Sequence, residues 1–214
     1  MTVPGYSLAL PLGWHRLTLG GDDTTVARAA ERRFWARDDD SARSALARHR
    51  FRETVTRLVT RARASGVVDL FVHSGSTRTG IGPMSLAVSV LAAPGLGDEA
   101  LLRAAEDGSG PAMVRMDLPA GRALRTALCQ TVPLSDVVDD IVAVAGPHLS
   151  VTDPESALGE VRGHRYDSAS SDYLVAVPDE PDVRLVISFR AIGGRYVEAE
   201  AAHADSIVRT LRWT

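Results

Sequence analysis

The chain has 214 residues, of which 45% are hydrophobic and 24% are charged, and its formal net charge is -3. This is the composition of a globular protein that can bury a full core without metals or disulfides, and we predict a single domain over residues 1–214. The near-neutral charge argues against a dedicated nucleic-acid-binding protein. One cysteine excludes an intrachain disulfide and favours a reducing compartment, while the use of Arg for all 24 basic residues is typical of a GC-rich bacterial genome.

The first apolar run, residues 6–19, lacks the features of an export signal. No Lys or Arg precedes it, and Pro11 and Gly13 interrupt it, whereas a signal peptide needs a basic start and about 7–15 uninterrupted apolar residues. Alternating apolar residues on both sides of this break predict two strands that pair as a hairpin. No segment approaches the roughly 18 apolar residues of a membrane span. With no export signal and a single cysteine, a reducing cytoplasm is the expected compartment.

Two helices are predicted in the Arg-rich region that follows. The first begins at a cap formed by Asp22, Asp23 or Thr24 and ends at the acidic residues 38–40. The second runs from about residue 41 to Gly66. Its predicted apolar stripe consists of Phe51, Val55, Leu58 and Ala62.

The rest of the chain alternates between strand pairs and short helices. Strands are predicted at 67–75, 84–93, 112–118, 121–132, 173–178 and 183–191, and helices at 95–108 and 198–213. Within residues 134–165, the first part fits either a helix or a strand, and residues 147–163 fit a loop with a short helix. Because there is no regular βαβ alternation, the predicted class is α+β, with an antiparallel sheet of about six or more strands and helices packed on it as an α/β/α sandwich.

Both ends of the chain resemble the PsbP-like α/β/α sandwich superfamily. The resemblance rests on LALPLGWHRLTL at 8–19, YLVAVPDEPDVRLVISFRA at 173–191 and ADSIVRTLRW at 204–213. That superfamily includes the photosystem II extrinsic subunit, a Ran-release factor, bacterial lipoproteins and Eag-type effector chaperones. The resemblance implies a scaffold that binds macromolecules more often than it catalyses, and it implies no catalytic residues. The lipoproteins have a signal sequence and a lipidated Cys that this chain lacks, which points toward the cytoplasmic, partner-binding members.

The densest chemical feature is a group of eleven Arg against five acidic residues between Arg28 and Arg63. Such a surface can bind an acidic protein, an anionic lipid or a phosphate backbone, and the plain alternative is a solvated helix face supported by a Glu53–Arg57 pair. Nucleic acid is disfavoured because no aromatic residues are interleaved for stacking. The predicted partner-binding residues are Arg43, Arg50, Arg57, Arg61 and the neighbouring aromatic Trp35. The alternative for Trp35 is packing in the core.

No catalytic, cofactor or metal site is predicted. His73 and Ser74 are adjacent, so a strand directs them to opposite faces, and no nucleophile elbow or Walker lysine is present. The six histidines do not form a zinc-binding pattern. Cys129 is expected to be buried in its strand, and Trp14 and Trp213 are expected to pack where the first hairpin meets the last helix.

Three functions follow from these observations. The first is a non-enzymatic adaptor or chaperone for another polypeptide, such as a secreted client that carries an apolar helix. The second is a small-ligand binder or enzyme with a pocket between sheet and helices, near His73, Arg78 and His164. The third is a homodimer with a purely structural role.

Overall fold

The computed structural model describes residues 4–34, 42–73, 84–95, 97–108, 112–133, 165–192 and 197–214. Within these ranges the helices are α1 (Asp23–Phe34), α2 (Ala42–Ala64), α3 (Asp98–Asp107) and α4 (Val197–Val208). The strands are β1 (Tyr6–Ser7), β2 (Trp14–Leu17), β3 (Val67–His73), β4 (Met84–Ala92), β5 (Met113–Leu118), β6 (Gly121–Pro133), β7 (Arg165–Val177), β8 (Glu180–Ile192) and β9 (Arg212–Trp213). The predicted α+β class is confirmed.

Seven strands form one antiparallel sheet in the order β2-β3-β4-β8-β7-β6-β5. The three predicted strand pairs β3–β4, β5–β6 and β7–β8 are all present as antiparallel neighbours. The turn between β7 and β8 is shorter than predicted, because Val177 already pairs with Glu180 and only Pro178 and Asp179 lie between them. Asp179 adopts a φ of 60°, which suits the second central position of a type II turn that has proline at the first.

The core lies on one face of this sheet. Val88, Ile187 and Tyr173 lie opposite one another on β4, β8 and β7, and all three are fully buried. The closing helix contributes Ala204, Ile207 and Val208 to the same cluster. Full burial of one such apolar side chain stabilises the fold by about 1.5–3 kcal/mol, so the contact between α4 and the sheet is a large part of the stability.

The predicted hairpin at the N-terminus is wrong. β1 pairs with β9 at the other end of the chain, with Tyr6 opposite Trp213, while β2 joins the edge of the large sheet beside β3. Between them Leu12 is 99% exposed and Gly13 has a φ of 97°. The chain bends here, but β1 and β2 do not pair with each other. Period-two alternation predicts a strand but carries no information about its partner. Here the aromatic pair at the two chain ends packs against the core.

Cys129 is exposed, contrary to the prediction that it is a buried core residue. The pairing of β5 with β6 extends only to Thr126, so Cys129 lies beyond the last residue of that neighbour. The apolar sequence context predicted burial, but Cys129 lies where β6 extends past β5 and lacks that neighbour.

The contacts divide the chain into two compact units. One consists of Met1–Arg16, Ser65–Gln130 and Asp167–Thr214, and the other of Leu17–Ala64 and Thr131–Tyr166. The second unit contains the α1–α2 hairpin. The prediction of a single domain stays a prediction, and most of the ambiguous segment 134–165 lies outside the described residues.

The buried stripe of α2 differs by one position from the predicted one. Val55 and Ala62 are buried as expected and Phe51 is half-buried, but Leu58 is 37% exposed whereas Val59 is fully buried. Adjacent helical residues point about 100° apart, so two neighbouring apolar residues cannot both face the same contact. The buried residues of α1, which contacts α2, are Val26, Ala27 and Ala30.

Candidate functional site

The start of α1 is fixed by Asp22 and by an arginine from α2. The Asp22 carboxylate accepts hydrogen bonds from the Thr25 amide (3.0 Å) and from the Thr25 hydroxyl (2.5 Å), so it caps the helix as one of the three predicted candidates. These hydrogen bonds hold the pKa of Asp22 below its usual value. Arg63 donates to the carbonyls of Leu19 (2.7 Å) and Gly21 (2.8 Å) and pairs with Asp23.

A second arginine of α2 also has a structural role. The Arg52 guanidinium donates to the Glu31 carboxylate at 2.9 Å, which joins α2 to α1 through side chains that are only partly exposed. Arg52 and Arg63 are therefore cross-links within the helical hairpin, and they are not among the arginines predicted to meet a partner.

The predicted partner-binding arginines that the structure describes are in a different situation. Arg57 and Arg61 are exposed on α2, and neither has a hydrogen bond or ion pair to any residue that the structure describes. Arg43 and Arg50 lie in the same helix, but their side chains fall outside the described part, and Trp35 lies outside it entirely. The face of α2 thus contains two solvated guanidinium groups one helical turn apart.

A cleft of about 520 Å³ runs between the two helices of the hairpin. It is lined by Thr24, Ala27 and Arg28 of α1 and by His49, Arg52, Glu53, Thr56 and Arg57 of α2. The carboxylate of Glu53 lies 3.4 Å from His49 Nε2, which replaces the predicted pairing of Glu53 with Arg57. Three arginines against one glutamate give this cleft a net positive lining.

His73 lies in a small aromatic cluster beneath α4. It is 7% exposed, and its ring centroid lies 5.5 Å from that of Trp14 and 6.3 Å from that of His203. A Cβ at Gly13 would lie 2.7 Å from His73 Nε2, so the bend before β2 packs directly on this imidazole. The other predicted pocket residues, Arg78 and His164, lie outside the described residues.

Trp14 connects this cluster to the closing helix, as predicted. Its indole Nε1 donates to His203 Nε2 at 3.2 Å, which requires a neutral His203 with its proton on Nδ1. Burial, and then the electrostatic interaction with His73, lower the pKa of His203 below its ordinary 6.5. Trp213 also packs on the core, and its indole donates to the Ala120 carbonyl at 2.8 Å.

A partly buried polar network fixes α4 to the sheet through Asp205, two residues after His203. The Tyr173 hydroxyl donates to Asp205 at 2.5 Å, and Arg125 Nε lies 2.8 Å from the same carboxylate. Burial and the Asp205 hydrogen bond raise the pKa of Tyr173 far above its ordinary value. Because a tyrosine with a raised pKa stays protonated at neutral pH, this group acts as a structural donor.

A second cleft, of about 760 Å³, lies beside the N-terminus of α3. Its lining carries both signs of charge, and the charged residue Arg184 in that lining is buried, at 6% exposed. Arg184 donates to the carbonyl of Pro181 (2.8 Å) and to Asp98 (3.2 Å), and Arg115 pairs with Glu99. These contacts attach α3 to β8 and β5.

The sequence did not predict that Arg28 lines a cleft, or that Arg52, Arg63 and Arg184 make structural contacts. The charge count identified the Arg-rich segment, but nothing in the spacing distinguished a guanidinium that pairs across two helices from one that stays in solvent. Arg28 lies four residues after Thr24, and this helical spacing could have placed both on the face of α1 that lines the cleft.

The described residues contain no group of three or more His, Cys, Asp or Glu side chains that could hold a metal ion. No helix in the described ranges is long and apolar enough to cross a membrane. No family model, no curated protein and no solved structure matches the chain.

Proposed function

We propose that this chain is a non-enzymatic binding protein that uses the Arg57 and Arg61 face of α2 to hold an acidic segment of another polypeptide. The observation that carries the proposal is the contrast between two kinds of arginine on one helix. Arg52 and Arg63 are bonded to Glu31 and Asp23, whereas Arg57 and Arg61 have no partner among the described residues.

Charge complementarity decides the class of partner. A face with two exposed guanidinium groups beside a positively lined cleft attracts carboxylates and disfavours a basic or purely apolar segment. Arginine also binds carboxylates in a bidentate geometry that lysine cannot offer. An acidic peptide therefore fits this surface better than the apolar helix of a client that the superfamily resemblance implies.

The test compares two variants with the same change in charge. Arg57 and Arg61 are both replaced by Glu in the first variant, and Arg122 and Arg209, which are exposed in the other unit, are both replaced by Glu in the second. The probe is a fluorescein-labelled peptide of Asp and Glu residues, and fluorescence anisotropy measures its affinity.

We expect the Arg57→Glu, Arg61→Glu variant to bind the peptide about tenfold more weakly or worse, since each exposed ion pair contributes up to about 1 kcal/mol and reversal adds repulsion. The control variant should retain most of the affinity, and added salt should weaken the wild type. Equal losses in both variants would show a net-charge effect only, and an unchanged affinity in the first variant would exclude this face as the site.

A further inference from the structure

The cleft between α1 and α2 brings cationic groups together from two directions. Arg28 reaches it from α1, and Arg57 reaches it from α2. Arg28, like Arg57, is exposed and makes no hydrogen bond or ion pair with a residue in the described ranges. Arg52 also lines the cleft, but its bond to Glu31 holds it in place as part of the wall.

Neutral donors add to this arrangement. Thr24 on α1 and Thr56 on α2 lie in the same lining, and a threonine hydroxyl can donate to an anionic oxygen. The one carboxylate in the lining, Glu53, lies 3.4 Å from His49 Nε2. The groups that remain for a ligand are two arginines and two hydroxyls, divided equally between the two helices.

Donors on opposite walls favour a tetrahedral anion over a planar one. A carboxylate accepts hydrogen bonds near one plane, whereas a phosphate group presents three oxygens in different directions and carries a charge of about -1.5 to -2 at neutral pH. Guanidinium groups are the preferred protein ligands of phosphate. The volume of about 520 Å³ is that of a small-ligand site, so there is room for the group that carries the phosphate.

We infer that this cleft takes a phosphate monoester, with Arg28 and Arg57 as its cationic ligands, and that the phosphate is borne by a phosphoserine or phosphothreonine of the acidic partner segment. The second half of this inference rests on the proposed function, because it assigns the anchor residue of the same partner. Recognition of phosphorylated acidic motifs by arginine clusters is an established mode of peptide binding.

The experiment uses two labelled peptides of identical acidic sequence, one with serine and one with phosphoserine at the centre. The wild type should bind the phosphopeptide about tenfold more tightly than the serine peptide. Arg28→Gln should abolish this difference, because Arg28 lines the cleft. Arg61→Gln is the matched control: it lies on the face of α2 but outside the cleft lining, so it should weaken both peptides and preserve the difference between them.

The outcomes separate this inference from the proposed function. If both peptides bind equally and Arg57→Glu with Arg61→Glu removes both, the acidic partner stands and the phosphate site is overturned. If inorganic phosphate binds in an Arg28-dependent manner while neither peptide binds, the anion site stands and the polypeptide partner is overturned. Competition of inorganic phosphate against the phosphopeptide would support the shared site, and circular dichroism would verify that Arg28→Gln is folded.

Discussion

At the scale of single residues, the environment of His203 should make the free energy of unfolding depend on pH. Its Nε2 accepts a hydrogen bond from the Trp14 indole N–H, and a protonated Nε2 could not accept this bond. The pKa of His203 is below 6.5 in the folded protein, so the unfolded chain binds a proton more readily. The stability that the folded protein gains from holding His203 neutral is therefore complete above pH 6.5, and it is lost as the pH falls below 6.5 toward the folded-state pKa.

Thermal unfolding from about pH 8 to about pH 5 tests this prediction. The melting temperature of the wild type should fall below pH 6.5, and His203→Gln should show a shallower fall, since the amide oxygen still accepts from Trp14 without titrating. Identical slopes for the two proteins would assign the acid sensitivity to other groups.

At the scale of elements, Arg63 is the side chain that joins α2 to the start of α1 at the base of the hairpin. Arg63 donates to two carbonyls before α1 and pairs with Asp23. Arg63→Ala should lower the free energy of unfolding by about 2 kcal/mol, because hydrogen bonds to charged groups contribute about 1.5–3 kcal/mol each and this guanidinium is partly screened by water.

The matched control for Arg63 is its neighbour two residues earlier. Arg61→Ala removes an exposed guanidinium with no partner in the described structure, so the free energy of unfolding should change by about 0.5 kcal/mol or less. Urea denaturation of both variants measures the difference. Equal destabilisation would mean that loss of helix-face charge, and not the contacts at the hairpin base, governs stability.

At the scale of the whole molecule, the two chain ends are tied together. β1 pairs with β9, the Thr214 amide donates to the Gly5 carbonyl at 2.8 Å, and Trp213 packs on the core. Trp213→Ala should lower the free energy of unfolding by about 2 kcal/mol or more. Trp213→Phe retains most of the apolar contact but loses the bond to Ala120, so it should be less destabilising.

Urea titration of these two Trp213 variants gives the comparison directly. A loss for Trp213→Phe as large as that for Trp213→Ala would assign the contribution to the indole N–H alone. Unchanged stability in both would mean that the β1–β9 pairing closes the fold without this side chain.

The candidate site was predictable in part. The charge count located the Arg-rich helices, and helical spacing correctly placed Arg57 and Arg61 on an exposed face. The sequence could not show that Arg28 shares a cleft with Arg57, because the two residues are 29 positions apart and meet only through the packing of α1 on α2. The resemblance to the PsbP-like superfamily stays a prediction.

The sequence by itself determined most of the helices and strands, because periods of two and 3.6 residues are local properties of the chain. It was wrong at two ends: β7 begins at Arg165 and not at Tyr173, and the last helix ends at Val208, so that residues 212–213 form β9. It also determined the three pairs of strands that follow one another along the chain, since consecutive strands of an antiparallel sheet usually lie side by side. Only the tertiary structure decided the partners of β1 and β2, the burial of Val59 instead of Leu58, and the exposure of Cys129. Each of these depends on contacts between residues distant in sequence, where the gain from burying apolar surface selects one of several arrangements that the local pattern allows.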